Sequence, residues 1–462
     1  LSGRHSVKPR LEFIPPRYNP WVMRSAYALL PLLLRVRLRP WLPAGIWPVI
    51  CPNPEVLVEG FEQFQAGKIR LILAFRHSQV DDPMCLSYLF SRILPRTARD
   101  RGMTLQSPVH SHFMYDRGMP LWAGRWLGWY FARMGGIPVH RGRRLDLTAI
   151  KTVREYLVQG RFPFTIAPEG ATNGHGEIVS PLEPGTAQIA FWTVEDLHKA
   201  GRGERVVLLP VGLRYFYPNP DWAALNRLMN QLEADCGLTV QSFNDPAAAT
   251  IEDYYQRLLR LAQQLLTRME LFYQRFYHRQ VVGHSAGVTG DSAAAIAQRL
   301  SQILEAALKV GEEFFGLPST GSIITRCRRL EEAGWAYIYR DDIDTLQHLP
   351  PLEQGLADWI ADEASLQMRH MRLVESFVAV SGSYVREDPS FERFAETTLI
   401  LFDLVERIKG TRVPQAVITL GDPMDISQRW PDYAQSRRAA KAAVETLTAD
   451  LQAAMEALIE QR

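Results

Sequence analysis

The chain has 462 residues, with 47% hydrophobic and 22% charged residues, which excludes low-complexity and intrinsically disordered classes and is long enough for two domains. A net charge of only +2 excludes a nucleic-acid binder that works through overall positive charge. Four well-separated cysteines, Cys51, Cys85, Cys236 and Cys327, with no Cys-x-x-Cys pair, argue against a zinc site or a disulfide framework and fit a reducing compartment.

The charge is uneven. Residues 1–50 carry eight Lys or Arg and one acid, Glu12, whereas the other 412 residues carry 44 basic against 49 acidic side chains. An anionic lipid surface attracts such a basic, apolar start. No secretory signal is visible, and the best apolar run, Tyr27 to Leu34, is too short to span a bilayer. Trp21, Val22, Met23, Tyr27, Leu29, Leu30, Trp41 and Trp47 alternate with arginines. Residues 21–39 are expected as one or two short helices interrupted at Pro31, either interfacial or a core helix with a basic edge. The expected location is the cytoplasmic face of a membrane, peripheral or monotopic, with no clear transmembrane span.

Next come short β-rich runs: Val56-Leu57-Val58, then Leu71 to Phe75, which is apolar throughout as a buried parallel strand should be. Asp82-Pro83 opens a helix to about Ile93, with Asp82 as its N-cap. Residues 96–135 are rich in Trp, Met and Gly and give no clear period. Beyond them the pattern predicts a strand over Ile137–His140, a helix over Leu147–Val158 ended by Gly160, a strand over Phe162–Ala167, a helix over Pro184–Lys199 and a strand over Val206–Gly212. This alternation predicts an α/β fold with a mixed, mostly parallel sheet flanked by helices. From about 250 to 410 the period is helical, with Leu258, Leu261, Leu265, Met269, Phe272 and Phe276 marking one face. A late strand, Ala416 to Leu420, and a closing helix carrying Val444, Leu447, Leu451, Met455 and Leu458 follow.

The chemistry concentrates in LILAFRHSQVDDP. His77 lies just past the end of a buried strand, where α/β folds place their sites. Asp82 is five positions on, close enough in the loop to turn its carboxylate back onto the imidazole. A carboxylate on one ring nitrogen fixes the tautomer and makes the other nitrogen a general base. Standing alone, the pair reads more often as a helix start and a loop histidine.

The blocks around it carry a resemblance. HSQVDD resembles the H-x-x-x-x-D signature of the glycerolipid acyltransferase family, the glycerol-phosphate and lysophosphatidate acyltransferases. GGIPVHR, Gly135 to Arg141, resembles the family's second block, APEGATN, Ala167 to Asn173, its third, and VLLPVG, Val207 to Gly212, its fourth. ITLGDPMDIS is similar to the last strand of such domains. The resemblance covers roughly 20–217 and 411–462 and implies an order: a basic amphipathic segment over 1–45, an acyltransferase domain over 46–217, a helical insertion or added domain over 218–410, and a last strand and helix over 411–462 that return to the acyltransferase domain.

The resemblance implies roles: His77 the base, Asp82 its orienting carboxylate, Arg141 a fork on the acceptor phosphate, Glu169, Gly170 and Gly135 parts of the acceptor pocket, and Pro210 a fourth-block residue near the acyl site. The donor would be an acyl thioester of CoA or acyl carrier protein, and the acceptor a lysophospholipid or glycerol phosphate at a membrane surface. The route needs neither a metal nor a cofactor nor an acyl-enzyme. Three departures matter: Ala167 stands where Phe is usual, Ala171-Thr172 stand where Thr-Arg is frequent, and Thr172-Asn173-Gly174 is more like relatives that use lysophospholipids with a head group. A phosphate-facing Arg is therefore missing from the third block, and Arg143, Arg144 or Lys151 are the candidates to compensate for it. Trp122, Trp126, Trp129, Tyr130 and Phe131 can line an acyl tunnel, touch lipid or sit in the core.

Two rivals stand beside this reading. GHSAG, Gly283 to Gly287, matches a serine-hydrolase elbow with Ser285 as nucleophile, yet the preceding LFYQRFYHRQ continues a helical pattern where the elbow needs a strand. A degenerate acyltransferase domain serving as an inactive lipid-binding module is the other. His110 and His112 have no third metal ligand in the sequence nearby and are expected as core or surface histidines.

Overall fold

The computed structural model describes residues 6–9, 13–35, 46–117, 125–139, 146–170, 172, 174–217, 220–280, 293–340, 342–343, 349–377, 384–405 and 415–460. Backbone contacts divide the chain into two units, one built from Phe13–His140, Leu145–Asn219 and Lys409–Arg462, the other chiefly from Pro220–Ile408.

The strands in chain order are β1 (Lys8–Pro9), β2 (Val49–Ile50), β3 (Ile69–Phe75), β4 (His112–Asp116), β5 (Gly136–Val139), β6 (Phe164–Ile166), β7 (Arg205–Phe216), β8 (Tyr339–Arg340), β9 (Gln415–Leu420) and β10 (Met424–Asp425). The first unit holds a sheet of order β2-β9-β7-β3-β6-β4-β5, with β10 pairing on β7. Its pairs are parallel except β7 with β9 and β7 with β10, which are antiparallel. The mixed, mostly parallel sheet with flanking helices is thus the observed architecture.

Alternation along the strands explains why both faces are covered. Leu71, Leu73 and Phe75 of β3 join Val207, Leu209 and Leu213 of β7 in one core, beneath Phe61, Leu86 and Leu89. Ile72 and Ala74 join Leu208 in the other core, beneath Val153, Ala190, Phe191 and the closing helix Arg437–Glu460. Val444, Leu447, Leu451, Met455 and Leu458 of that helix are all buried.

Three local expectations are corrected. Val56, Leu57 and Val58 belong to a helix, Glu55–Gln65, and not to a strand, because Leu57, Val58, Phe61 and Phe64 recur at helical spacing and bury one face. Pro31 does not interrupt the first helix, which runs unbroken over Pro20–Leu33, although the proline supplies no N–H to the carbonyl one turn before it. Asp82 is the first residue of helix Asp82–Tyr88, and Asp81 holds the cap position. The unassigned stretch 96–135 contains the end of helix Leu94–Asp100, strand β4 and helix Arg125–Arg133.

The second unit is helical. Its long helices are Ile251–Tyr277, Ala293–Phe315, Ile323–Ile338, Pro351–Phe377 and Phe391–Val405, joined by the two-residue parallel pair β1 with β8. Glu233, fully buried, is met by Arg257 at 2.8 Å and Arg260 at 2.6 Å. Arg326 reaches Glu312 at 2.7 Å. These guanidinium pairs hold both carboxyls below the ordinary Glu range against the opposing effect of burial.

Candidate active site

Strand β3 is buried at all seven positions, and its C-terminal end delivers the chain to one edge of the sheet between β6 and β7. Arg76 leaves that strand with a fully buried guanidinium, which donates to the carbonyls of His175 at 2.5 Å, Gly176 at 2.6 Å, Leu213 at 3.2 Å, and Ile178. The cation therefore ties the 175–178 loop to β7 beside the next residue, His77.

His77 is the accessible member of the cluster, its side chain 19% exposed against 0% for Asp82. His77 Nδ1 lies 3.1 Å from Asp82 Oδ2. The same oxygen accepts from the Gln79 N–H at 2.9 Å, which closes the loop between them. The other oxygen, Oδ1, accepts from the Tyr215 hydroxyl. Tyr215 lies on β7 and is buried; burial first, and then the Asp82 charge, push its phenol well above the ordinary value, so it stays a donor. With Asp82 accepting from Nδ1–H, the lone pair of His77 sits on Nε2.

Glu169 approaches from the loop after β6 and is 3% exposed. Its Oε1 accepts from the His77 backbone N–H at 2.9 Å and its Oε2 from the Ser180 N–H at 2.9 Å. The carboxylate thus bridges the histidine loop and the 174–183 segment. The Gly174 N–H donates to Ser78 O at 3.0 Å and Gln79 Nε2 to Gly174 O at 3.2 Å, adding two more ties. Gly170 takes φ +74° in the turn that follows Glu169, a conformation glycine adopts without strain.

The structure therefore brings His77, Asp82, Glu169 and Gly170 to one edge. Pro210 is a buried β7 residue paired with Ala74, three residues before His77, and its carbonyl accepts from Gly421 at 2.9 Å. Gly135 does not join them. It precedes β5, at the opposite end of that parallel strand, with φ +82° and its carbonyl 3.1 Å from His112 Nδ1. Arg141, with Arg143 and Arg144, lies outside the described residues, as do Ala171, Asn173 and Ser285. Sequence reasoning missed Tyr215 and Arg76. Arg76 carried a signal, a charged residue between a buried strand and the candidate base.

His110 and His112 are core residues. His110 Nδ1 faces the Tyr27 hydroxyl at 2.6 Å and Nε2 the Met134 carbonyl at 2.7 Å. Burial holds both imidazoles down at about 4. No group of three or more His, Cys, Asp or Glu side chains suited to a metal occurs among the described residues.

An imidazole at a strand end, backed by a buried carboxylate that a tyrosine also grips, has the chemical capacity to take a proton from a hydroxyl or similar nucleophile. Residues 55–214 match the family model described as Acyltransferase. The chain thus carries an acyltransferase domain over that segment, which contains His77, Asp82, Glu169, Gly170 and Pro210. No curated protein and no solved structure matches the chain.

Proposed function

We propose that the acyltransferase domain moves a fatty acyl group from an acyl thioester, of CoA or acyl carrier protein, onto the hydroxyl of a lysophospholipid or glycerol phosphate. The carrying observation is the His77–Asp82 contact at 3.1 Å with Tyr215 on the second carboxylate oxygen. His77 Nε2 takes the acceptor's hydroxyl proton as that oxygen attacks the thioester carbonyl. The carbonyl oxygen gains negative charge and meets backbone N–H donors. The C–S bond then breaks, the C=O re-forms, and the thiolate recovers the proton from His77. Asp82 holds the imidazole in the required tautomer and offsets the positive charge that the ring gains. Arg141 faces an acceptor phosphate, as the family resemblance implies. Glu169 acts by fixing the His77 backbone, and Gly170 lets the chain turn beside it.

Residues 218–410 form, in this reading, a helical insertion, and 411–462 complete the acyltransferase domain. The antiparallel register of β9 on β7, Leu420 beside Val211 through Gln415 beside Phe216, supports the return of the chain.

The acceptor is drawn from a membrane surface. On helix Pro20–Leu33, Trp21, Leu29 and Leu32 are 71%, 55% and 54% exposed; on helix Arg125–Arg133, which packs against it, Trp126 and Trp129 are 50% and 53% exposed. Arg24 stands over the Trp21 ring and Arg133 over that of Trp129. Exposed indoles beside guanidinium groups suit the headgroup layer. No described helix is long and apolar enough to cross a membrane.

The test is release of free thiol from acyl-CoA and from acyl carrier protein, with a panel of lysophospholipids and glycerol 3-phosphate. Acceptor-dependent thiol release with formation of the acylated lipid is expected. An intact thioester with every acceptor would sink the proposal in favour of an inactive lipid-binding module. Thiol release that ignores the acceptor and yields free fatty acid would favour a hydrolase. Liposome flotation unchanged by Trp21→Ala with Trp129→Ala would remove the membrane surface.

A further inference from the structure

Arg76 stands between strand β3 and His77 and buries a positive charge against neutral oxygens alone. Its backbone N–H donates to Val211 O at 2.9 Å, which carries the pairing of β3 with β7 one residue further. Its guanidinium is fully buried. Nη1 donates to Gly176 O at 2.6 Å and Leu213 O at 3.2 Å, and Nη2 to His175 O at 2.5 Å and to Ile178 O. Nε is buried with no hydrogen-bond partner, and no carboxylate pairs with the group, among the described residues.

A charge buried without a counter-ion is costly. Tying a loop to a strand needs only a neutral donor, so the cation points to a task that a neutral donor does not perform. A guanidinium offers a rigid fork of donors aimed in several directions at once. Here the fork gathers three carbonyls of residues 175–178 onto one group and fastens them to Leu213 of β7.

The segment held in this way borders the base. Gly174 N–H donates to Ser78 O at 3.0 Å, and Gln79 Nε2 donates to Gly174 O at 3.2 Å. Glu169 joins the N–H groups of His77 and Ser180. Residues 174–180 are therefore a wall tied to residues 77–79, and Arg76 sets how far its carbonyls are drawn in. In the acyl-transfer reading the group brought to His77 Nε2 is the acceptor's hydroxyl, so this wall bears on the acceptor before the donor.

We infer that Arg76 is a positioning residue for the acceptor: it fixes the 174–180 wall against the His77 loop and so sets the approach of the hydroxyl to Nε2. The inference rests on the acyl-transfer reading. A misplacement of about 1 Å costs about 10²-fold in rate, so even a partly slackened wall is measurable. Lysine keeps the charge but has no fork, and one ammonium does not hold Leu213 and Ile178 on separate branches.

The test is steady-state transfer by wild type, Arg76→Lys and Gln79→Ala, with acceptor and acyl thioester varied in turn and urea unfolding alongside. Arg76→Lys should lower kcat/KM for the acceptor about tenfold through a higher acceptor KM, with the thioester KM within about twofold. Gln79→Ala cuts one tie to Gly174 at a partly exposed position; it should raise acceptor KM about threefold at the wild-type unfolding midpoint. A purely structural Arg76 would reduce the active fraction, so that kcat falls and both KM values stay. That outcome overturns the inference, as does an equal rise in both KM values. If Arg76→Lys does not fold, Gln79→Ala decides, and an unchanged acceptor KM there overturns it. A wild type that transfers nothing sinks the acyl-transfer reading and this inference with it, whereas failure in the variants alone leaves that reading standing.

Discussion

Tyr215→Phe removes one oxygen and changes no shape, so it isolates the grip on Asp82. Asp82 is fully buried, and among the described residues the phenol is the only donor to its Oδ1. A hydrogen bond to a buried charged group contributes about 1.5–3 kcal/mol. If all of it acts on the transition state, kcat falls by about 10- to 100-fold. Cys85 Sγ lies 4.0 Å from the Tyr215 hydroxyl and is a weak donor near the vacated position, which favours the lower end, about tenfold. KM for the acceptor should stay within about twofold, since Tyr215 is buried behind Asp82 and works through it. The assay is steady-state acyl transfer by Tyr215→Phe, Asp82→Asn and the double variant, with urea unfolding alongside. Asp82→Asn removes the orienting anion and should cost about 10²-fold or more. If Tyr215 acts through Asp82, the double variant is no slower than Asp82→Asn alone, a non-additivity that a purely structural tyrosine would not show. Additive losses, or a Tyr215→Phe enzyme with full kcat, would refute the reasoning.

Two further predictions follow from the same core. Gly135→Ala places a Cβ 2.8 Å from His112 Nδ1 at φ +82°, so unfolding stability should fall by at least about 1 kcal/mol while acceptor KM stays unchanged; a selective rise in KM would return Gly135 to the acceptor pocket. His110 and His112 are held by burial at about 4, below the unfolded value of about 6.5. The unfolded chain therefore binds more protons below pH 6.5, and stability is full above that pH and lost as pH falls toward 4, by about 2 kcal/mol per histidine at pH 5. Urea midpoints at pH 7 and pH 5 measure this, and His110→Gln should remove its own share and leave that of His112; an equal drop in the variant would show that other groups cause it.

The strands β3 and β7 were legible because their residues are buried on both faces and read as unbroken apolar runs. The approach of Asp82 to His77 is a local loop property, five residues with a proline-led helix behind them, yet the pair alone reads equally as a helix start, and the blocks around it singled it out. Tyr215 was not legible, because it lies 133 positions from Asp82 and reaches it only through the order of strands in the sheet. Glu169 was noticed in its turn, but a carboxylate spent on two backbone N–H groups looks the same in sequence as one facing a ligand. Val56-Leu57-Val58 misled as a strand because three residues cannot separate a period of 2 from one of 3.6; Phe61 and Phe64 decide it. Strand β4 was obscured because its polar-looking HFMYD finds its partners, β5 and β6, only in the folded sheet.

The central claim is that His77 Nε2 takes the acceptor proton. Its most direct test is single-turnover transfer from labelled acyl-CoA to the best lysophospholipid acceptor by wild type and His77→Ala, with donor binding measured separately. The account predicts that His77→Ala binds acyl-CoA as the wild type does and transfers the acyl group about a thousandfold more slowly. Transfer by His77→Ala at the wild-type rate would contradict it.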